Sequence, residues 1–131
     1  MARTEQQPVA SVSTMTAPIV RLSGVSKVYK TGSGDFTALD DIWLDIRRGE
    51  FLGIIGKSGA GKSTLLNMIS GVSEVSSGEV QFFPDEAANA TGSPVYLNRL
   101  SEDELAAWRG KHLGIVYQSF ELLPTLDLVN N

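Results

Sequence analysis

The chain has 131 residues, 42% of them hydrophobic and 20% charged, which suits one packed domain and excludes wholesale disorder. Eleven Lys and Arg against fifteen Asp and Glu give a net charge of −4, and no basic run offers the face a nucleic-acid binder needs. Nucleic acid is therefore not an expected partner. Cysteine is absent, which excludes disulfides and thiolate metal sites, and no apolar run nears the roughly 20 residues that span a bilayer.

Residues 1–17 are polar, rich in Ser, Thr and Gln, and lack the basic start and apolar stretch of a secretory signal. They read as a disordered tail, with ordered structure beginning at Pro18. Residues 19–29 predict a strand, Val20 and Leu22 alternating with Arg21 and Ser23. The cluster Gly32-Ser33-Gly34-Asp35 predicts a turn into a second, antiparallel strand. There Ile42, Leu44 and Ile46 should share one face and Trp43 and Asp45 the other. Arg47-Arg48-Gly49-Glu50 turns the chain again, with the two arginines expected at a solvated hairpin tip.

Phe51-Leu52-Gly53-Ile54-Ile55 is apolar without alternation, the pattern of a strand buried on both faces of a parallel sheet. A helix is expected over residues 62–70, with Leu65, Met68 and Ile69 on one face and Gly71 at its end. Residues 78–83 and 94–98 predict short strands, and residues 84–93 between them a loose loop. Ser101-Glu102-Asp103-Glu104 has capping-box spacing, with Leu100 and Leu105 placed as a staple, so a short helix through Trp108 is expected. Residues 113–117 predict a last strand, with Gln118 at its exit.

Between the apolar run and the first helix lies Gly56-Lys57-Ser58-Gly59-Ala60-Gly61-Lys62-Ser63, which fits the phosphate-loop pattern G-x-x-x-x-G-K-S/T. A loop that leaves a strand and opens a helix points successive backbone N–H groups inward, making a nest for oxyanions. Phosphate reaches them where side chains do not intervene, hence Gly56, Gly59 and Gly61. The helix adds its positive N-terminal end. Lys62 is placed to reach the β- and γ-phosphates, the Ser63 hydroxyl to ligate Mg2+, and Thr64 to add a hydroxyl near the α-phosphate. The plain alternative is a glycine-rich turn with a chance lysine. With Gly near its usual 7%, about one chain in a few hundred of this length would show the pattern by chance. The loop alone leaves the reaction open among kinases, GTPases, helicases and transport ATPases.

Four further features resemble the ABC-transporter ATPases. Tyr29, within Val25-Ser26-Lys27-Val28-Tyr29-Lys30, stands where that family carries an aromatic residue that stacks on adenine. Leu39-Asp40-Asp41-Ile42, leading to Arg48-Gly49-Glu50-Phe51, resembles the family's second strand and its turn into the loop strand. The run from Leu65 to Gly71, followed by Ser77-Gly78-Glu79-Val80, resembles its helix and the strand after it. Leu113-Gly114-Ile115-Val116-Tyr117-Gln118 resembles the segment that ends in the family's Q-loop glutamine. The resemblance covers residues 18–131, and Arg109 with Leu122-Leu123-Pro124-Thr125-Leu126 points to the lipoprotein-release and macrolide-export type.

The resemblance implies an α/β fold of the P-loop NTPase class with an N-terminal antiparallel β subdomain. It implies an energy-coupling subunit that binds ATP and Mg2+, with Gly56, Lys57, Ser58, Gly59, Ala60, Gly61, Lys62, Ser63 and Thr64 around the phosphates and Tyr29 on the base. Lys62 and Gln118 are the implied catalytic side chains; Ser63 and Gln118 are the implied metal-site residues, with Gln118 sensing Mg2+ and the attacking water. The implied partners are an integral membrane subunit and a second copy or a paralogue, which places the chain on the cytoplasmic face of the membrane.

The sequence departs from the family in four ways. Lys57 replaces a small uncharged residue, the loop at 84–93 is long, and Asp127 and Asn130 replace Thr and Glu past the Q-loop. No Leu-Ser-Gly-Gly-Gln-like signature, no apolar strand ending in Asp-Glu and no later histidine occurs within residues 1–131. His112 precedes the last predicted strand and reads as a surface residue. The expectation is a partial nucleotide-binding domain over 18–131, able to bind and not to hydrolyse on its own. The alternatives are a nucleotide-binding remnant and a soluble, non-transport ABC ATPase.

Overall fold

The computed structural model describes residues 18–57, 59, 61–84 and 93–116. The tail at 1–17, the centre of the loop at 85–92 and everything from Tyr117 onward lie outside the described residues. The chain divides into two compact units, one ending at Leu100 and one beginning at Ser101.

In the first unit, β1 (Pro18–Thr31) and β2 (Gly34–Arg47) form the long antiparallel hairpin that the alternation predicts. Leu22 faces Leu44 and Val25 faces Ile42 across it. Ile42, Leu44 and Ile46 are half-buried while Trp43 and Asp45 are exposed. β3 (Ser77–Phe82) adds to the other edge of β1, and the two-residue β4 (Val95–Tyr96) pairs with β3, giving the order β2-β1-β3-β4. The chain then leaves the expected strand at 94–98 for a 3-10 turn over Leu97–Arg99. Helix α1 (Lys62–Ile69) packs on β1 and β2 through Met68, which is 1% exposed. Val20, Leu22, Val25, Leu39, Val80, Phe82 and Leu97 complete the core of this unit. Burying side chains of this kind contributes about 1.5–3 kcal/mol each.

Two irregularities shape the sheet. Between Val25 and Lys27 the β1–β2 register shifts, and Asp41 takes a left-handed φ of 48°. Its N–H, lost to the ladder, donates to Ser26 Oγ at 2.9 Å, and its carboxylate accepts from Trp43 Nε1 at 2.8 Å. Opposite this bulge, β3 crosses β1 so closely that a Cβ on Gly78 would lie 2.3 Å from the Gly24 carbonyl oxygen. Only glycine fits there, at a φ of +86°.

Helix α1 ends as Gly71 leads one to expect. The Val72 N–H reaches Asn67 O at 3.0 Å and the Gly71 N–H reaches Met68 O at 3.3 Å, the paired bonds of a Schellman cap.

Arg21 and Asp45 face each other across β1 and β2 and join in a two-pronged ion pair at 2.7 and 2.8 Å. The guanidinium hydrogen bonds hold the Asp45 carboxyl below its ordinary value. A lowered folded-state value means that the pair stabilises above the unfolded carboxylate's pKa, near 3.8, and that this stability is lost as pH falls through the folded value. Both side chains are about 40% exposed, so solvent screening limits the gain. Asp45→Asn should cost under about 1 kcal/mol at pH 7 and less as pH falls below the unfolded carboxylate's value, as urea unfolding across that range will show.

Three expectations are corrected. Residues 51–55 form no strand: Phe51 is 99% exposed and Ile55 97%. No described strand lies beside them to take up their backbone groups, and an apolar run becomes a sheet strand only against a partner. Residues 113–116 likewise form no strand, with Val116 98% exposed. Arg48 is not a solvated tip: its guanidinium donates to the Phe83 carbonyl oxygen, fastening the turn after β2 to the end of β3.

The second unit contains α2 (Glu102–His112), four residues longer than predicted. Its capping box is complete: Ser101 Oγ accepts from the Glu104 N–H at 3.3 Å, and Glu104 Oε2 accepts from the Ser101 N–H at 2.8 Å. That second bond holds the Glu104 carboxyl below its ordinary value. Arg109 bridges back to Glu102 at 3.0 Å, and the helix bears acids in its first turn and bases in its last, as its dipole favours.

Candidate phosphate-binding site

The phosphate-loop sequence enters α1 as expected. Gly59 and Gly61 take left-handed φ of 79° and 89°, and Gly61 is the helix N-cap. A Cβ on Gly61 would come within 2.7 Å of the Ala38 carbonyl oxygen, so its bare backbone lets the loop lie directly on β2. As N-cap, Gly61 supplies no side-chain acceptor, and the first turn of α1 has no acidic residue. Its own N-cap and first turn thus leave the positive end of this helix without a side-chain cap or an acidic side chain.

Lys62 folds back over the loop it follows. Its ammonium donates to the carbonyl oxygens of Gly56 and Lys57, the latter at 2.6 Å. Ser63 is exposed at the next position, while Thr64 turns toward the sheet. The Thr64 hydroxyl stands 3.5 Å from the Tyr29 hydroxyl. Tyr29 lies near the end of β1 and is 37% exposed, so β1 delivers an accessible aromatic ring to the first turn of α1. Of the sequence-selected residues, the fold thus brings Tyr29, Gly56, Lys57, Gly59, Gly61, Lys62, Ser63 and Thr64 to one place. Ser58, Ala60 and Gln118 lie outside the described residues.

Sequence reasoning passed over Lys27. Its ammonium lies 5.3 Å from the centre of the Tyr29 ring and donates to the Glu74 carbonyl oxygen at 2.6 Å. The spacing of two along a strand, which puts Lys27 and Tyr29 on one face, is the signal that could have found it. Among the described residues, no group of three or more His, Asp or Glu side chains could hold a metal ion.

Residues 39–131 match the family model described as ABC transporter, a span that holds the loop, α1 and the segment leading to Gln118. The chain belongs to the ABC transporter family. Among its ABC relatives, a probable export ATP-binding/permease protein MacB of Pseudomonas entomophila is 42% identical over 87% of this chain and 16% of its own length. The lipoprotein-releasing system ATP-binding protein LolD of Idiomarina loihiensis is 36% identical over 89% of this chain and 47% of its own. The solved dimeric ABC cassette MJ0796, in a post-hydrolysis state bound to ADP and Pi, superposes with a TM-score of 0.69 at 39% identity, over 82% of this chain and 42% of that one. A second dimeric structure of the same cassette gives a TM-score of 0.71. The fold is therefore that of the ABC ATPases, with the antiparallel β subdomain in the described part. The chain spans less than half the length of these relatives. No helix among the described residues is long and apolar enough to cross a membrane.

Proposed function

We propose that this chain is the ATP-binding, energy-coupling part of an ABC membrane transporter of the MacB and LolD type. The observation that carries the reading is Lys62, whose ammonium lies over a glycine loop at a helix start that has no side-chain cap and no acidic residue in its first turn, where the Thr64 hydroxyl meets the Tyr29 hydroxyl. The donor set fits a nucleoside triphosphate: left-handed glycines that a Cβ would disrupt, backbone N–H groups, one cation and an aromatic plane.

In this reading Lys62 exchanges its two loop carbonyls for phosphate oxygens, and the loop N–H groups hold the remaining charge. Ser63 would hold Mg2+ through its exposed hydroxyl, and the ion would supply charge neutralisation for phosphoryl transfer. Thr64 would add a hydroxyl near the α-phosphate, Tyr29 would receive the base, and Gln118 would orient water and metal. Positioning and charge stabilisation are nearly all that phosphoryl transfer requires of a protein.

The partners are an integral membrane subunit and a second ATPase copy, on the cytoplasmic face. The dimeric state of MJ0796 and the names of MacB and LolD support both. Affinity purification of the full chain from detergent-solubilised membranes tests the coupling. An integral membrane protein should copurify and raise phosphate release; recovery without any membrane protein contradicts it. For the base, Tyr29→Ala should weaken Mg-ATP by about 1–3 kcal/mol in calorimetry, the usual worth of a base stacked on an aromatic ring. An unchanged affinity would make Tyr29 an ordinary strand tyrosine.

A further inference from the structure

We propose that Lys27 is a positioning residue for the base platform at Tyr29, an inference that rests on the nucleotide reading above. Tyr29 projects from the last third of β1, where the β1–β2 register has just shifted at Lys27, and it is 37% exposed. Among the described residues its hydroxyl has one long contact, 3.5 Å to Thr64. Lys27 adds a second hold on the ring. Its Nζ stands 5.3 Å from the ring centre, within the range of a cation–π attraction.

That ammonium is itself held. It donates at 2.6 Å to the carbonyl of Glu74, in the segment that follows the Schellman end of α1. The same segment is sewn to β1 by Ser76, whose N–H reaches Ser26 O at 2.9 Å and whose hydroxyl accepts from the Val28 N–H at 2.9 Å. Both ends of α1 therefore bear on Tyr29: its first turn through Thr64, and the segment after its last turn through Lys27.

The consequence is selective. Lys27 holds the ring in place for the base and draws its electron density, while the phosphates meet other residues. A ring ordered before binding leaves less entropy to lose on binding. Losing Lys27 should weaken a ligand that has a base and spare one that has none.

Calorimetric titration of the full chain with Mg-ATP and with magnesium tripolyphosphate, which lacks a base, separates the two. Lys27→Met keeps the stem and removes the charge. It should weaken Mg-ATP about three- to tenfold, as the loss of a partly desolvated cation–π contact implies. Tripolyphosphate should change by less than about twofold, and Lys27→Arg should recover most of the ATP affinity because a guanidinium also stacks on an aromatic face. In a Tyr29→Leu background, Lys27→Met should have no further effect, since the two act as one unit. Three results overturn the role of Lys27: unchanged ATP affinity in Lys27→Met, equal loss for both ligands, or a loss that persists without Tyr29. Wild-type protein that is folded and binds neither ligand overturns the nucleotide reading itself, and this inference with it.

Discussion

Lys62→Ala is expected to remove detectable binding of Mg-ATP, a loss of at least about a hundredfold. A hydrogen bond to a charged group contributes about 1.5–3 kcal/mol, and Lys62 is placed to make two such bonds to phosphate where it now meets the carbonyls of Gly56 and Lys57. Two of them correspond to two or more decades of affinity at 1.4 kcal/mol per decade. No other described side chain reaches back over the loop in this way, and Lys57, which also carries a charge there, is exposed. Stability should fall much less than affinity, because the two carbonyls released lie at an exposed loop where water can satisfy them. Calorimetry of the variant beside a urea unfolding curve reads both quantities. Wild-type affinity in a folded Lys62→Ala protein would take away the reason to place phosphate at this loop.

Gly78→Ala is expected to be the most destabilising small change in the sheet, by about 3 kcal/mol or more. The added methyl would sit 2.3 Å from Gly24 O, 2.5 Å from Gly24 C and 2.7 Å from Val25 Cα, and all three are backbone. No side-chain rotation relieves such contacts, so β1 and β3 must separate. The left-handed φ of +86° adds strain of about 1–3 kcal/mol for a residue with a Cβ. The damage falls where β1 runs on from the bulge toward Tyr29, so nucleotide affinity should fall along with stability. Gly32→Ala is the control: nothing lies within 4 Å of its added Cβ. Urea midpoints that shift equally for the two variants would contradict the close crossing of β1 and β3.

The parts of this fold that the sequence made legible are those whose signal is local. Alternation alone places Ile42, Leu44 and Ile46 inward and Trp43 and Asp45 outward. Ser101 with Glu104 locates the start of α2, and Gly71 marks the end of α1, because caps are made by residues within a few positions of each other. The glycine loop that enters α1 belongs to this class too, since its glycines, lysine and helix are contiguous. What the sequence misjudged depends on distant partners. Residues 51–55 and 113–116 carry the apolar content of buried strands, yet strand state requires a neighbour, and none lies beside them among the described residues. Arg48 reads as a hairpin tip until β3 brings the Phe83 carbonyl to it across 35 positions. The bulge at Asp41 and the role of Ser26 in it have no sequence mark beyond a short polar residue on each strand. Lys27 has a local mark in its spacing of two from Tyr29, but its anchor, Glu74, is 47 residues away.

A calorimetric titration of the full chain with Mg-ATP tests the central claim most directly. The loop at Gly56 to Ser63 predicts saturable binding of one nucleotide per chain, competed by ADP. A chain that is folded by circular dichroism and shows no saturable heat at millimolar Mg-ATP would contradict it.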